Sequence, residues 1–341
     1  MENRKKLLNV TYSKAIFDYD YEKIALDLKD KRNILELSKE NSMVYEIYKD
    51  LLSHDYMFYF QSGTKSYFIK RKLIKNIWKR NDLMQYGDLF YTIEQPLENK
   101  IHSVTPMRLI VVFSSVTSEN YYSPNIGIRC FTKNFSSIQK SVLKNTMVMR
   151  IMDLNLSHGS HYINTDNYPN FEEDVQESII KVMLQYGIHK DNVVFYGASG
   201  GGTGALYHSL LGDYNSVCVD PVISLAEYNN TMGDKYFIKG LRKESILEDI
   251  EKLLNRDLCY KKIIIGSPAI PFNYRLYSKL IGEVIDIFDI FDESVKFTSD
   301  VSLGCILEQV TLINNYFLNS NDYKNKLSDI KNIYNELENI S

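Results

Sequence analysis

The sequence predicts an α/β protein with a mostly parallel sheet and helices on both of its faces. Two observations carry that expectation. Five short apolar runs rich in β-branched residues recur along the chain, and segments with helical periodicity separate several of them. A third observation is a glycine-rich turn placed directly between one such run and a helix.

The strand candidates come in order. Arg108–Phe113 ends in a continuous apolar stretch, as expected of a strand covered on both faces. Met147–Met152, Asn192–Tyr196, Ser216–Val219 and Lys262–Ile265 follow the same pattern. Asn170 is placed to cap a helix running to Tyr186, with Glu173 three residues on. Ser245-Ile-Leu-Glu248 opens a second helix, with Ile246, Leu247, Ile250, Leu253 and Leu254 on one face. The first hundred residues read as a smaller region, mixed and mostly helical, so the main domain is expected over 101–341. The 3-4-3 spacing of Leu327, Ile330, Tyr334 and Leu337 fits a C-terminal helix packed on its own domain.

With 40 basic and 43 acidic side chains in 341 residues, the net charge is −3. That balance argues against a general nucleic-acid binder, which carries a basic excess. A hydrophobic share of 44% excludes a disordered chain. No apolar run reaches the roughly 18 residues of a membrane span, and no apolar signal core follows the polar start. A cytoplasmic protein is expected, peripheral to the membrane at most. Four widely spaced cysteines, with no C-x-x-C pair, disfavour a zinc ribbon and suggest reduced thiols. Between Lys65 and Arg80, seven basic residues alternate with aromatic and aliphatic ones. That segment reads as an element docked on the main domain with a solvated basic face. Its other reading is a contact with a membrane surface or an anionic polysaccharide.

The chemistry lies in Gly197-Ala-Ser-Gly-Gly201, a G-x-S-x-G directly after the Asn192–Tyr196 run and directly before a helix. In a nucleophile elbow the serine occupies a strained turn, and small residues two before and two after it avoid a clash. The turn exposes Ser199 Oγ above the sheet and aims the helix N-terminus, beginning at Gly200, at a developing oxyanion. The competing reading is a dinucleotide-type phosphate loop, but no suitably placed acid follows some 20 residues later, apart from Asp220. The elbow therefore predicts an α/β-hydrolase-like domain. A second oxyanion donor is expected from the loop after Met147–Asp153. There Gly159 would let backbone N–H groups approach, and Ser157, His158, Ser160 and His161 would line the site. Asp220, ending the strand after the elbow helix, is the acid candidate.

The histidine that should complete a triad is missing. In this fold the order is serine, acid, histidine, yet none follows His208. The expected histidine loop, after a last strand near Val295–Phe297, reads Thr298-Ser-Asp-Val-Ser302. His208 lies nine residues along the elbow helix and faces away. His189 lies at the wrong end of the sheet. Three explanations stay open: His158 or His161 reaches Ser199 from the oxyanion-side loop, the site has lost catalysis, or an acid such as Asp300 acts directly.

Arg150-Ile-Met-Asp153, Gly159-Ser-His-Tyr-Ile-Asn164 and Tyr196-Gly-Ala-Ser-Gly-Gly-Gly-Thr-Gly204 together resemble the XcbB/CpsF family of bacterial capsular polysaccharide biosynthesis proteins. That family is similar to the α/β-hydrolase-like component of the accessory secretion system and to capsule O-acetyltransferases. The resemblance covers about residues 105–225. It implies a cytoplasmic role in making a surface polysaccharide, with Ser199 at the nucleophile position. A glycan or its precursor would be the substrate, an acyl donor such as acetyl-CoA a co-substrate, and other capsule biosynthesis proteins partners. No metal or bound cofactor is implied. The alternative is a catalytically degenerate scaffold that keeps the fold.

Overall fold

The computed structural model describes residues 5–321, 323–325, 328 and 331. Leu327, Ile330, Tyr334 and Leu337 lie outside the described residues.

Two sheets organise the chain. The first joins β1 (Leu7–Thr11), β2 (Lys23–Asp27), β3 (Tyr56–Ser62) and β4 (Lys65–Lys70) in the order β1-β2-β4-β3. The second holds β5 (Met84–Tyr86), β6 (Leu89–Glu94), β7 (Arg108–Phe113), β8 (Thr146–Ile151), β9 (Val193–Ala198), β10 (Asn215–Val219), β11 (Lys262–Gly266) and β12 (Ile285–Asp289). Its order is β12-β11-β10-β9-β7-β8-β6-β5. Neighbouring strands from β7 onward are parallel, while β6 runs antiparallel to both β5 and β8. Counted within this sheet, the order is 1-2-4-3-5-6-7-8 with the second strand reversed. That is the strand order of the α/β-hydrolase fold, so the expected fold class holds.

The sheet is parallel because its strands are apolar on both sides. Every residue of β7 and β8 is buried. Their alternation feeds two cores. Leu109, Val111 and Phe113 join one, with Val175 and Ile179 from the helix Phe171–Tyr186 and Leu206 and Leu210 from the helix Gly200–Gly212. Ile110 and Val112 join the other, with Ile313 and Phe317 from the helix Ile306–Asn319. Period-two alternation in the strands thus meets helices on both faces. Burying each such aliphatic side chain contributes roughly 1.5–3 kcal/mol.

Several expectations are corrected here. The first hundred residues are not a mostly helical unit ending near 100. They contribute a four-stranded sheet, and β5 and β6 belong to the main sheet. Alternation in β3 and β4 is imperfect, with an irregularity at Phe58/Phe60, which hid them from a periodicity reading. The last strand is Ile285–Asp289, not Val295–Phe297. The helix opened by Ser245 begins at Leu247, whose N–H bonds to Ser245 Oγ (3.2 Å), so the serine forms a turn and not a capping box. Asn170 does precede the helix Phe171–Tyr186, but without a side-chain cap.

The segment 65–80 docks as the structural reading expected. Phe68, Ile69 and Ile74 are buried, and Arg71 pairs with Asp55 (2.8 Å) and Asp88 (3.1 Å). Its buried apolar side chains are not free to enter a membrane surface. Among the described residues no helix is long and apolar enough to cross a membrane.

The N-terminal unit matters to the site. Tyr48, Phe58 and Phe68 share a core with Leu156, Val222 and Phe237, which lie on loops at the carboxyl ends of the main strands.

Candidate active site

Ser199 sits between β9 and the helix Gly200–Gly212 with φ 54° and ψ −123°. A non-glycine residue there costs of order 1–3 kcal/mol and persists only where the surroundings over-determine it. Here they do. Ser199 N–H donates to Val219 O (2.9 Å), and its carbonyl accepts from Thr203 N (2.9 Å) and Thr203 Oγ1 (3.2 Å). Thr203 Oγ1 also accepts from Val222 N–H (2.9 Å), tying the elbow to the segment after β10. The glycines are required sterically. A Cβ on Gly197 would overlap the Gly201 carbonyl oxygen, and one on Gly201 would overlap the Phe113 carbonyl oxygen. Among the described residues, no hydrogen bond joins Ser199 Oγ to an imidazole.

Ser199 and Gly200 line a small cavity with Ser114–Val116, Asp153, His158, His161 and Tyr236. Its volume, about 10 Å³, holds one water at most. The structure therefore brings both candidate histidines to the serine. His161 is the nearer to the elbow: a Cβ on Gly200 would lie 2.6 Å from its Cδ2 and 2.9 Å from its Nε2. Its Nδ1 is buried without a partner. Tyr236 lies edge-on to it at 5.4 Å. Burial, and secondarily the Arg242 charge, hold His161 neutral, its pKa pushed down to about 3. His158 Nε2 bonds to Tyr121 O (2.7 Å), and its ring stacks on Tyr121 at 4.2 Å. Burial and the Arg129 charge push its pKa well down too.

The loop after β8 is built around a carboxylate. Asp153 accepts the N–H groups of Ser160 (3.0 Å), Tyr162 (3.1 Å) and His161, while Gly159 N–H donates to Asn155 O (3.0 Å). His161 and Tyr162 are both left-handed, at φ 58° and 64°, so successive N–H groups converge on the acid as a nest. Burial raises Asp153 to about 7 even so, with the three N–H bonds and Arg242 opposing. The expected oxyanion role of Gly159 and Ser160 does not fit this arrangement, because their N–H groups are already committed. Ser160 Oγ donates to Ile163 O (2.7 Å), and Ser160 O accepts from Arg242 (3.1 Å). Ser157 Oγ accepts from Tyr48 Oη (2.7 Å).

The segment Ser114–Val116, which the sequence reading passed over, faces the cavity from the end of β7. It follows the third strand of the sheet, the place from which hydrolases draw the second oxyanion donor. Its sequence signal was position alone, directly after the Phe113 that ends an apolar run. Ser114 N–H is bound to Tyr162 Oη (2.6 Å) and Ser115 N–H to Asn134 Oδ1 (2.8 Å). The Gly200 N–H, first of its helix, has no intrahelical acceptor.

Asp220 ends β10 but meets neither histidine. Its carboxylate accepts from Asn273 Nδ2 (2.9 Å), Tyr277 Oη (3.0 Å) and the Thr298 hydroxyl. Burial raises its pKa, and these three donors oppose the rise. Thr298 opens the helix after β12, where the imidazole of a triad would stand. Asp300 is used locally, accepting Lys296 N–H (2.9 Å) and Phe297 N–H (2.8 Å). His208 Nε2 bonds to Tyr162 O (2.9 Å) on the far side of the elbow helix, and the His189 side chain is exposed. Among the described residues, no three His, Cys, Asp or Glu side chains are grouped to hold a metal ion.

No family model and no curated protein matches the sequence. Solved structures are similar at low identity. A Streptococcus agalactiae glycosylation-associated protein complex (Gap123) aligns at TM-score 0.46 and 12% identity, over 77% of this chain and 52% of that one. The capsule O-acetyltransferase of Neisseria meningitidis serogroup A aligns at 0.44 and 13%, over 70% and 99%. Porphyromonas gingivalis dipeptidyl peptidase 4 aligns at 0.41 and 14%, over 68% and 35%. The chain thus spans about a third of the peptidase chain and about half of the Gap123 chain. The fold assignment rests on the strand order.

Proposed function

We propose that the protein is a serine-dependent acyl-transfer or ester-hydrolysis enzyme acting on a surface glycan or its precursor. Ser199 is its nucleophile and His161 the proton acceptor. The observation that supports this most is the elbow: Ser199 is held at φ 54°, its Oγ without a hydrogen bond among the described residues, beside the Gly200 N–H and an imidazole. A dyad of this kind lacks the acid that normally orients the base. With its pKa near 3, His161 is a weak base, so slow turnover is expected. The glycan target is taken from the resemblance over residues 105–225. A transfer reaction would draw on an acyl donor such as acetyl-CoA, and capsule assembly places the protein in the cytoplasm beside other biosynthesis proteins.

A second reading is favoured by two specific observations. Asp220 is bound by Thr298, from the segment after β12, and by no imidazole among the described residues, and the cavity holds one water at most. On that reading the fold is a non-catalytic scaffold in glycan assembly. A fluorophosphonate serine probe separates the two. Labelling lost in Ser199→Ala and reduced about 10²-fold or more in His161→Ala supports the dyad. Labelling indifferent to His161 removes the dyad, and no labelling at all supports the scaffold.

A further inference from the structure

Near the Ser199 cavity, two ammonium groups stand without a carboxylate in salt-bridge contact among the described residues. Lys39 Nζ lies 5.6 Å from the Tyr121 ring centroid and 4.6 Å from that of Phe237. Lys235 Nζ lies 6.0 Å from the same Tyr121 ring and 5.3 Å from Tyr236. Lys235 is thus one ring away from the cavity, through Tyr236, which lines it, and Lys39 is two rings away, through Tyr121 or Phe237 and then His158. The nearest acid, Asp234, is fully engaged by Lys49 (3.1 Å), Tyr45 Oη (2.8 Å) and the N–H groups of Ile238 and Lys239. Among the described residues neither Lys39 nor Lys235 has a carboxylate within 4 Å. Lys39 instead reaches the carbonyls of Asp234 and Lys235 at 3.4 Å. Partial burial pulls both ammonium groups below their ordinary pKa; at Lys39 the Asp234 charge opposes this and the Lys235 charge adds to it. Cation–π contact with a shared ring offsets only part of the repulsion between two like charges. An anion arriving between them would relieve it.

We infer that this region is a subsite for an oxyanion carried by a saccharide, a phosphate or a carboxylate, bound between Lys39 and Lys235 beside Tyr121 and Tyr236. The saccharide rests on the proposed function of the Ser199 site, whereas the anion rests on the two lysines alone. The subsite sets which glycans reach the serine: neutral sugars gain nothing from it, and bound anions are released by salt.

Calorimetric titration of the full chain with UDP-glucose, trigalacturonic acid and maltotriose tests this. At low ionic strength, UDP-glucose binding identifies phosphate as the anion and trigalacturonic acid binding identifies carboxylate. Either should bind at least about tenfold more tightly than maltotriose and weaken with added salt. Lys39→Gln/Lys235→Gln should remove that preference, and Lys39→Arg/Lys235→Arg should keep it. If the double glutamine variant does not fold, Lys235→Gln alone carries the same expectation. Equal binding of all three sugars, or a preference untouched by glutamine, overturns the subsite. Binding that depends on the lysines with a Ser199 inert to the serine probe keeps the subsite and refutes the catalytic reading. A labelled Ser199 without anion preference does the reverse.

Discussion

Gly200→Ala probes the contact on which the His161 assignment depends. An added Cβ would stand 2.6 Å from His161 Cδ2. That is about 0.8 Å inside ordinary van der Waals contact, on the steep repulsive side of the potential. The clash is with a side chain, and Gly200 is not left-handed, so alanine suits the backbone and slightly favours the helix. The imidazole has little room to yield, because Tyr236 lies against it and its own backbone is fixed by the Asp153 nest. Overpacking of this kind costs about 1–3 kcal/mol. In a His161→Ala background the ring is gone, and the same change should be neutral or stabilising by a few tenths up to about 1 kcal/mol. The two substitutions should therefore couple by about 1–3 kcal/mol in a double-mutant cycle measured by urea unfolding of the four proteins. Costs that add within about 0.5 kcal/mol would refute the placement of His161 against the elbow, and with it the dyad.

Three further outcomes are expected. Acid should destabilise the protein. His161 and His208 have folded pKa values of about 3 and 4, below an unfolded value near 6.5, so the unfolded chain binds more protons as pH falls. Each would cost up to about 2 kcal/mol at pH 5, with His158 adding in the same direction, while Asp153, raised to about 7, works the other way and regains about 2 over the same interval. Urea midpoints should accordingly fall from pH 7 to pH 5, and a flat profile would contradict the buried neutral histidines. Asp220→Asn should lower stability by about 1–3 kcal/mol, because an amide places a donor against Asn273, Tyr277 or Thr298. It should leave Ser199 probe labelling unchanged, and a large labelling loss would show that Asp220 serves the site after all. Gly197→Ala should cost about 3 kcal/mol or more by thermal melting, since its Cβ meets the Gly201 backbone, which yields less than a side chain. A small loss would mean the elbow is looser than its φ and ψ suggest.

The features legible in the residue pattern are local ones. β7 to β11 were legible because strands buried on both faces must be apolar at successive positions, and the elbow because only small residues survive at 197 and 201 beside a strained serine. The absence of an imidazole after His208 was also plain in the sequence. Which groups meet emerges only once the chain is packed. Backbone N–H donors cannot be assigned from residue type, so Gly159 and Ser160 read as oxyanion donors until Asp153 was seen to take the N–H groups of Ser160 to Tyr162. β5 and β6 lie far from β8 in sequence, and their membership in the main sheet follows from pairing across that distance. Lys39 and Lys235 stand 196 residues apart, and nothing in either neighbourhood signals the other. They share one aromatic ring because the N-terminal unit packs its core against the loops of the main sheet. Short-range sterics and burial write themselves into sequence pattern; long-range contact between charges depends on how finished units pack, and leaves no local trace.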